Sequence, residues 1–185
     1  MTREPAVQDL TKPIRRLVTG TDAQGRSCFV EDGPSRAVKL VADRPGYRVT
    51  NIWCTTPGSQ VDAPEATAQI AGLLPPKGGT VLRIIDFPAE PADGAARDAA
   101  LKATFRDLYG DAQHGSDKSA HPGMHETPTV DYALVLAGTI IAIMETGELE
   151  MNAGDVLVQR GTMHAWANRS SQPARMAFVL IDPDR

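Results

Sequence analysis

The density of short β-patterned runs at the end of this chain constrains its fold more than any other feature. From residue 130 onward VDYALVLAG, TIIAIMET, GELEM, NAGDVLVQR, MHAWANRS and ARMAFVLID follow one another, with turn sequences such as TGE, NAGD and NRSSQP between them. Runs this short, with no helical pattern between them, argue against βαβ units and for consecutive antiparallel pairing. Such strands close into a small β-barrel or a double-sheet sandwich, as jelly rolls do to remove exposed edges.

The remainder of the chain extends the pattern. SCFVED, AVKLVA and YRVTNIWCT read as strands, parted by the turn sequences DGPS and DRPG. QVDAPEATAQIAGLLPPKGG reads mostly as loop, and TVLRIIDFP as a strand closed by its proline. The one helix is expected over about 93–109, where Ala96, Ala100, Leu101, Phe105 and Leu108 form an apolar stripe and Gly110 stops it. GDAQHGSDKSAHPG is then a polar connection. LLPPKGGT, with Lys77, lacks the spacing of a phosphate loop and reads as a turn or lid before the strand at 80.

With 185 residues the chain is one domain with an extension, long enough to bury a core. A net charge of −4, with basic residues scattered apart from Arg15 and Arg16, excludes the footprint of a nucleic-acid or anionic-lipid binder. No apolar run approaches the ~20 residues that span a bilayer. The polar N-terminus lacks a secretory core, so the expected location is cytoplasmic. In that compartment Cys28 and Cys54 are expected to be two buried thiols, with a disulfide or zinc site the minority reading.

The stretch that carries chemistry is HPGMHETPTVDYALVLAG, residues 121–138. It sets His121, His125, Glu126, Thr127 and Asp131 just before or at the start of a strand. A metal site, the rim of a pocket and a polar loop all remain open from these residues alone. No Gly-x-Ser-x-Gly element occurs, and neither cysteine sits in a nucleophile context.

Two stretches in this region resemble the cupin superfamily, of the small single-domain conserved-barrel type. In HETPTVDYALVLAG, His125 stands at the first histidine of the first cupin motif, Thr127 at the second, Asp131 at the glutamate and Gly138 at the glycine. In GDVLVQRGTMHAWAN, Gly154, Gly161, His164 and Asn168 match the second motif, with Arg160 near the expected proline and the segment one residue short. The match spans about 119–181. It implies an all-β jelly-roll barrel there, with residues 1–118 as an extension supplying strands and the helix, one structural domain overall. Extra N-terminal strands in cupins commonly pair with a partner subunit, which implies a homodimer.

The resemblance further implies a divalent metal (iron, manganese, nickel, zinc or copper) held by His125, Asp131 and His164, with Thr127 replacing a ligand. Glu126 or His121 substitutes if the strand register differs. The reaction it implies is that of a metal-dependent enzyme on a small organic molecule: dehydratase, decarboxylase, isomerase or dioxygenase. Two alternatives stay open. One is a metal-free cup that binds a small ligand without turnover. The other is metal-free acid/base catalysis, with His164 as base and Asp131 orienting it. In the metal-free readings Asp131 pairs with a histidine or arginine, and His164 bonds Asn168.

Thr127, Trp166, Glu126 and His121 are the candidate pocket residues. Trp166 shares a strand face with His164, either stacking on a ligand or packing in the core, whereas Tyr132 points outside the cup. Trp53 and Phe87 are read as core. Arg83 and Arg160 are candidates for an acidic substrate group but are read first as surface residues.

Overall fold

The computed structural model describes residues 9–64, 66–115 and 120–183. Thirteen strands and one helix follow in the order β1 (Arg15–Thr21), β2 (Ser27–Pro34), β3 (Val38–Leu40), β4 (Arg48–Thr55), β5 (Thr80–Phe87), α1 (Gly94–Leu108), β6 (Gln113–His114), β7 (His125–Glu126), β8 (Val130–Ala137), β9 (Thr139–Met144), β10 (Gly147–Asn152), β11 (Val156–Arg160), β12 (His164–Ala167) and β13 (Ala174–Ile181). A single 3₁₀ turn, Thr67–Gln69, interrupts the long loop before β5.

Two antiparallel sheets face each other. One has the order β11-β8-β13-β5-β4-β3, the other β10-β9-β12-β7-β6. All six C-terminal strands fall where the sequence sets them, but their pairing is not consecutive. Among these six only β9 and β10 pair as neighbours in sequence, while β8 lies between β11 and β13. Turn residues fix where strands end. They do not fix which strand a run returns to, which depends on burying both inner faces at once.

The inward set of each strand follows the two-residue period. On β8, Ala133 and Val135 are buried while Tyr132 and Leu136 on the outer face are 43% exposed. On β13, Met176, Phe178 and Leu180 point in, and they meet Ile140 and Ala142 of β9 in the main core. A smaller cluster of Met124, Ile143, Ala165 and Ala167 covers the back of the second sheet.

Helix α1 begins where Asp93 accepts a hydrogen bond from the Ala96 amide, an N-cap that satisfies one orphan donor. Ala100, Leu101, Ala103, Thr104 and Leu108 are its buried face. Its C-cap is Tyr109, whose amide bonds the Phe105 carbonyl, and Gly110 stands at the next position, where the sequence sets the stop.

The strand β1 carries no clear apolar alternation and is not evident from sequence. It forms a two-stranded ribbon with β2, closed by a turn in which Gly25 has φ 76° and the Asp22 carboxylate accepts from the amides of Gln24 and Arg26. Arg16 ties the ribbon to the barrel, bonding Glu31 and the Ile52 carbonyl. Leu17, Phe29 and Val30 on this ribbon are exposed. Cys28 is half-buried on β2 and Cys54 buried on β4. Among the described residues no helix is long and apolar enough to cross a membrane. The segment at Lys77 is a turn in which the Gly79 amide bonds the Pro76 carbonyl.

Candidate functional site

The barrel interior holds a cavity of about 60 Å3. His125, Thr127, Asp131, His164 and Trp166 all line it, so five of the residues singled out from sequence come together. They arrive from three strands and the loop after one of them. Asp131 points in from β8, His164 and Trp166 alternate on β12, and His125 on β7 stands directly opposite His164.

The two imidazoles are fixed in one tautomer. His125 donates Nδ1–H to the Gly123 carbonyl at 2.9 Å, and His164 donates Nδ1–H to the Thr162 carbonyl at 2.9 Å. A carbonyl only accepts, so each neutral ring keeps Nε2 as a bare acceptor. Burial, first of all, holds both neutral, with His114 adding to it at His125 and His125 adding to it at His164. Burial pushes His125 below the ordinary histidine value, and burial together with the neighbouring His125 pushes His164 down to about 3.

Asp131 is perturbed in the other direction. Burial raises its carboxyl to about 6, against the pull of a hydrogen bond from the Thr129 hydroxyl and of the Arg83 charge. Its Oδ1 has no hydrogen-bond partner. A carboxyl of this kind takes and gives a proton near neutral pH. It is held by threonine and influenced by arginine, without pairing to either histidine. His164 likewise bonds Thr162, not Asn168, whose amide bonds the carbonyls of Phe87 and Gln172.

The walls form an aromatic circuit. Centroids lie 4.4 Å apart from His125 to His164, 5.7 Å from His164 to Trp166, and 5.5 Å from Trp166 to Phe178. The circuit continues at 6.4 Å to Phe87 and 5.5 Å to Tyr47. The hydroxyls of Tyr47 and Tyr109 meet at 2.8 Å, and Phe105 joins Tyr109 at 5.9 Å to His125 at 5.4 Å. Such a belt suits a flat, conjugated guest. Burial raises both phenols, so they stay protonated, and one of the two O–H groups remains available to a third acceptor.

Arg83 corrects the sequence reading most sharply. It is a cavity wall with 0% exposure, not a surface residue. Arg44 joins it, its guanidinium 4.2 Å above the Tyr47 ring and bonded to Thr104. Arg160 is exposed, as read. Phe87 is core, as read, and Trp53 is only half-buried.

Two candidates lie elsewhere. Glu126 neighbours His125 on β7 and is absent from the cavity wall. His121 is also absent from it. Its Nδ1 accepts from the Gly123 amide, so its Nε2–H faces Glu90 at 3.1 Å, both side chains buried. That pair pins the loop after β5 to the loop before β7. Sequence reasoning missed Arg44, Tyr47, Tyr109 and Phe105. The only available signal was that Arg83 shares strand parity with Val81, Ile85 and Phe87.

A cupin metal centre needs a third protein donor beside two imidazoles. Position 127 offers a hydroxyl already bonded to Thr129 at 2.8 Å. Among the described residues no three of His, Cys, Asp or Glu group closely enough to hold an ion. The residues present therefore do not fit a resident metal with three protein ligands.

No family model matches the chain. It is 28% identical over 175 residues to phomopsin biosynthesis cluster protein C' of Diaporthe leptostromiformis, covering 90% of this chain and 77% of that protein. It is 26% identical over 190 residues to a cupin-domain-containing oxidoreductase of Aspergillus ruber, covering 98% of this chain and 78% of the relative. Among solved structures, the cupin domain of Schizosaccharomyces pombe Cnp3 overlaps with a TM-score of 0.44 at 9% identity, over 92% of this chain and 88% of that one. The two facing antiparallel sheets form a cupin-type jelly roll, and the relatives this chain resembles include proteins named cupin-domain-containing oxidoreductases.

Proposed function

We propose that the chain is an enzyme that moves a proton on a small planar organic molecule held inside the barrel. The observation that carries this is Asp131: a carboxyl raised to about 6, with one oxygen unpartnered, in a wall otherwise built of aromatic rings and neutral imidazoles. In this reading Asp131 is the acid/base group. The bare Nε2 atoms of His125 and His164 accept hydrogen bonds from the guest and orient it, and Trp166 and Thr127 shape its slot. Loss or gain of such a proton is common to isomerisation, dehydration, decarboxylation and the dehydrogenation that the relatives' oxidoreductase name brings into scope.

The test needs no prior substrate. A panel of aromatic ketones and keto acids is incubated with the protein in D2O, and exchange of carbon-bound hydrogen is followed by mass spectrometry. The reading expects exchange with at least one compound, falling by about 100-fold or more in Asp131→Asn. Absence of exchange across the panel, or equal exchange in the variant, contradicts it.

A second reading rests on the two parallel Nδ1–H anchors, the arrangement by which metal-ligating histidines are oriented. It has the two imidazoles alone, His125 and His164, holding a divalent ion whose remaining positions are left to the guest and water. Elemental analysis of the purified protein decides between the two: close to one metal per chain, lost in His125→Ala and His164→Ala, favours the ion. The proposal also includes a homodimer, supported by the exposed apolar residues Leu17, Phe29 and Val30 on the N-terminal ribbon.

A further inference from the structure

We propose that Arg83 receives an anionic oxygen of the guest, so that the cavity selects small planar organic anions over their neutral isosteres. The inference rests on the reading of the barrel interior as the binding site and names what that site takes.

Arg83 is wholly buried, yet only its Nη2 is used, donating to the Leu73 carbonyl at 2.9 Å. Its Nε and Nη1 are buried without a partner. A guanidinium keeps its charge in a protein and carries five donors. Leaving two of its nitrogens bare in an apolar wall costs free energy unless a ligand satisfies them. No carboxylate among the described residues makes an ion pair with it. Asp111 acts on it from a distance, but its oxygens are occupied by the amides of Leu73 and Leu74. Asp131 acts on it too, as the group that titrates. Asn51, opposite Arg83 across β4 and β5, has an unpartnered Oδ1 and is not bonded to it.

The neighbours strengthen the preference. Arg44 places a second cation in the same wall, and the Tyr47–Tyr109 pair keeps one O–H to donate. Donors and positive charge thus come from the arginines and tyrosines, while the two histidines present only acceptors. A guest that answers both carries an anionic oxygen at one end, a hydroxyl at the other and a flat body between them.

The experiment is isothermal titration calorimetry of the full chain with 4-hydroxybenzoate and with 4-hydroxybenzamide, its neutral isostere, alongside Arg83→Met and Arg83→Lys. The proposal expects wild type to bind the carboxylate at least tenfold more tightly. It expects Arg83→Met to lose about 10–100-fold for the carboxylate, with Arg83→Lys recovering part of the loss and the amide unmoved. It also expects Arg83→Met to raise the melting temperature, because a buried charge without a partner is removed; a purely structural arginine would lower it. Equal binding of acid and amide by wild type overturns the anion preference while leaving the cavity as a binding site. Binding of neither probe overturns both. Loss of both ligands together in Arg83→Met, with a lower melting temperature, assigns Arg83 to structure and overturns the proposal.

Discussion

The rings of His125 and His164 face each other 4.4 Å apart at a tilt of 46°, each tethered through Nδ1 to a carbonyl two residues earlier in the chain. Two imidazoles this close and this buried do not readily take up a proton. Their folded-state pKa values lie below the ordinary histidine value, His164 at about 3. The unfolded chain therefore binds more protons than the native one between about pH 3 and 6.5, so the stability held in this pair is complete above 6.5 and is lost as pH falls. Asp131, with a raised value, works in the opposite sense between about 3.8 and 6. Urea unfolding at about pH 7 and pH 5 isolates the histidine part when wild type is set beside His164→Gln. The variant should lose about 1–2 kcal/mol less on acidification. Identical pH dependence would remove the account of the pair.

Position 127 turns the histidine pair into a testable absence. Thr127 lines the cavity and bonds Thr129, which leaves the pair without a third donor. Thr127→His supplies one, and zinc titration should show affinity raised by at least about tenfold over wild type. A wild type that already holds zinc stoichiometrically would contradict this.

On the outer face of the larger sheet, Asp86 sits between Arg48 and Arg175, each at 2.6 Å. Both arginines also bond the Leu10 carbonyl, so the triad fastens the segment before β1. Asp86→Ala leaves two guanidiniums without their shared carboxylate and should cost about 3–5 kcal/mol in chemical unfolding. Glu148→Ala, which breaks the half-exposed pair with Arg169, should cost at most about 1 kcal/mol. Equal costs would show that burial does not set the difference.

The exposed side chains of the N-terminal ribbon predict a contact between copies. Light scattering after size exclusion should give about twice the 19.8 kDa of one chain. The double variant Leu17→Ser, Phe29→Ser should fall to one. A monomeric wild type would leave the ribbon without this role.

The parts of the fold that were legible in the sequence are those governed by local rules. Period-two alternation from Val130 to Ile181 marked all six C-terminal strands, and the same alternation put Trp166 beside His164 and Tyr132 outside. The helix was legible from its stripe and from the turn residues around it. Strand order was not, because β8 finds its partners at β11 and β13 through packing of both sheets. Arg83 was misread for a related reason. An arginine in a strand faces solvent by default, and the facing wall of Tyr47, Tyr109 and Asp131 comes from distant segments that only the closed barrel brings together. The ribbon strand β1 was missed because RRLVTGT buries little on either face.

The central claim is that Asp131 is a carboxyl poised to exchange a proton inside the barrel. Titration of aspartate-labelled protein by 13C NMR, in wild type and Asp131→Asn, reads it directly. One carboxyl titrating near 6 and missing from the variant is the predicted result. A wild type in which every aspartate titrates at or below the ordinary value near 4 would contradict the account.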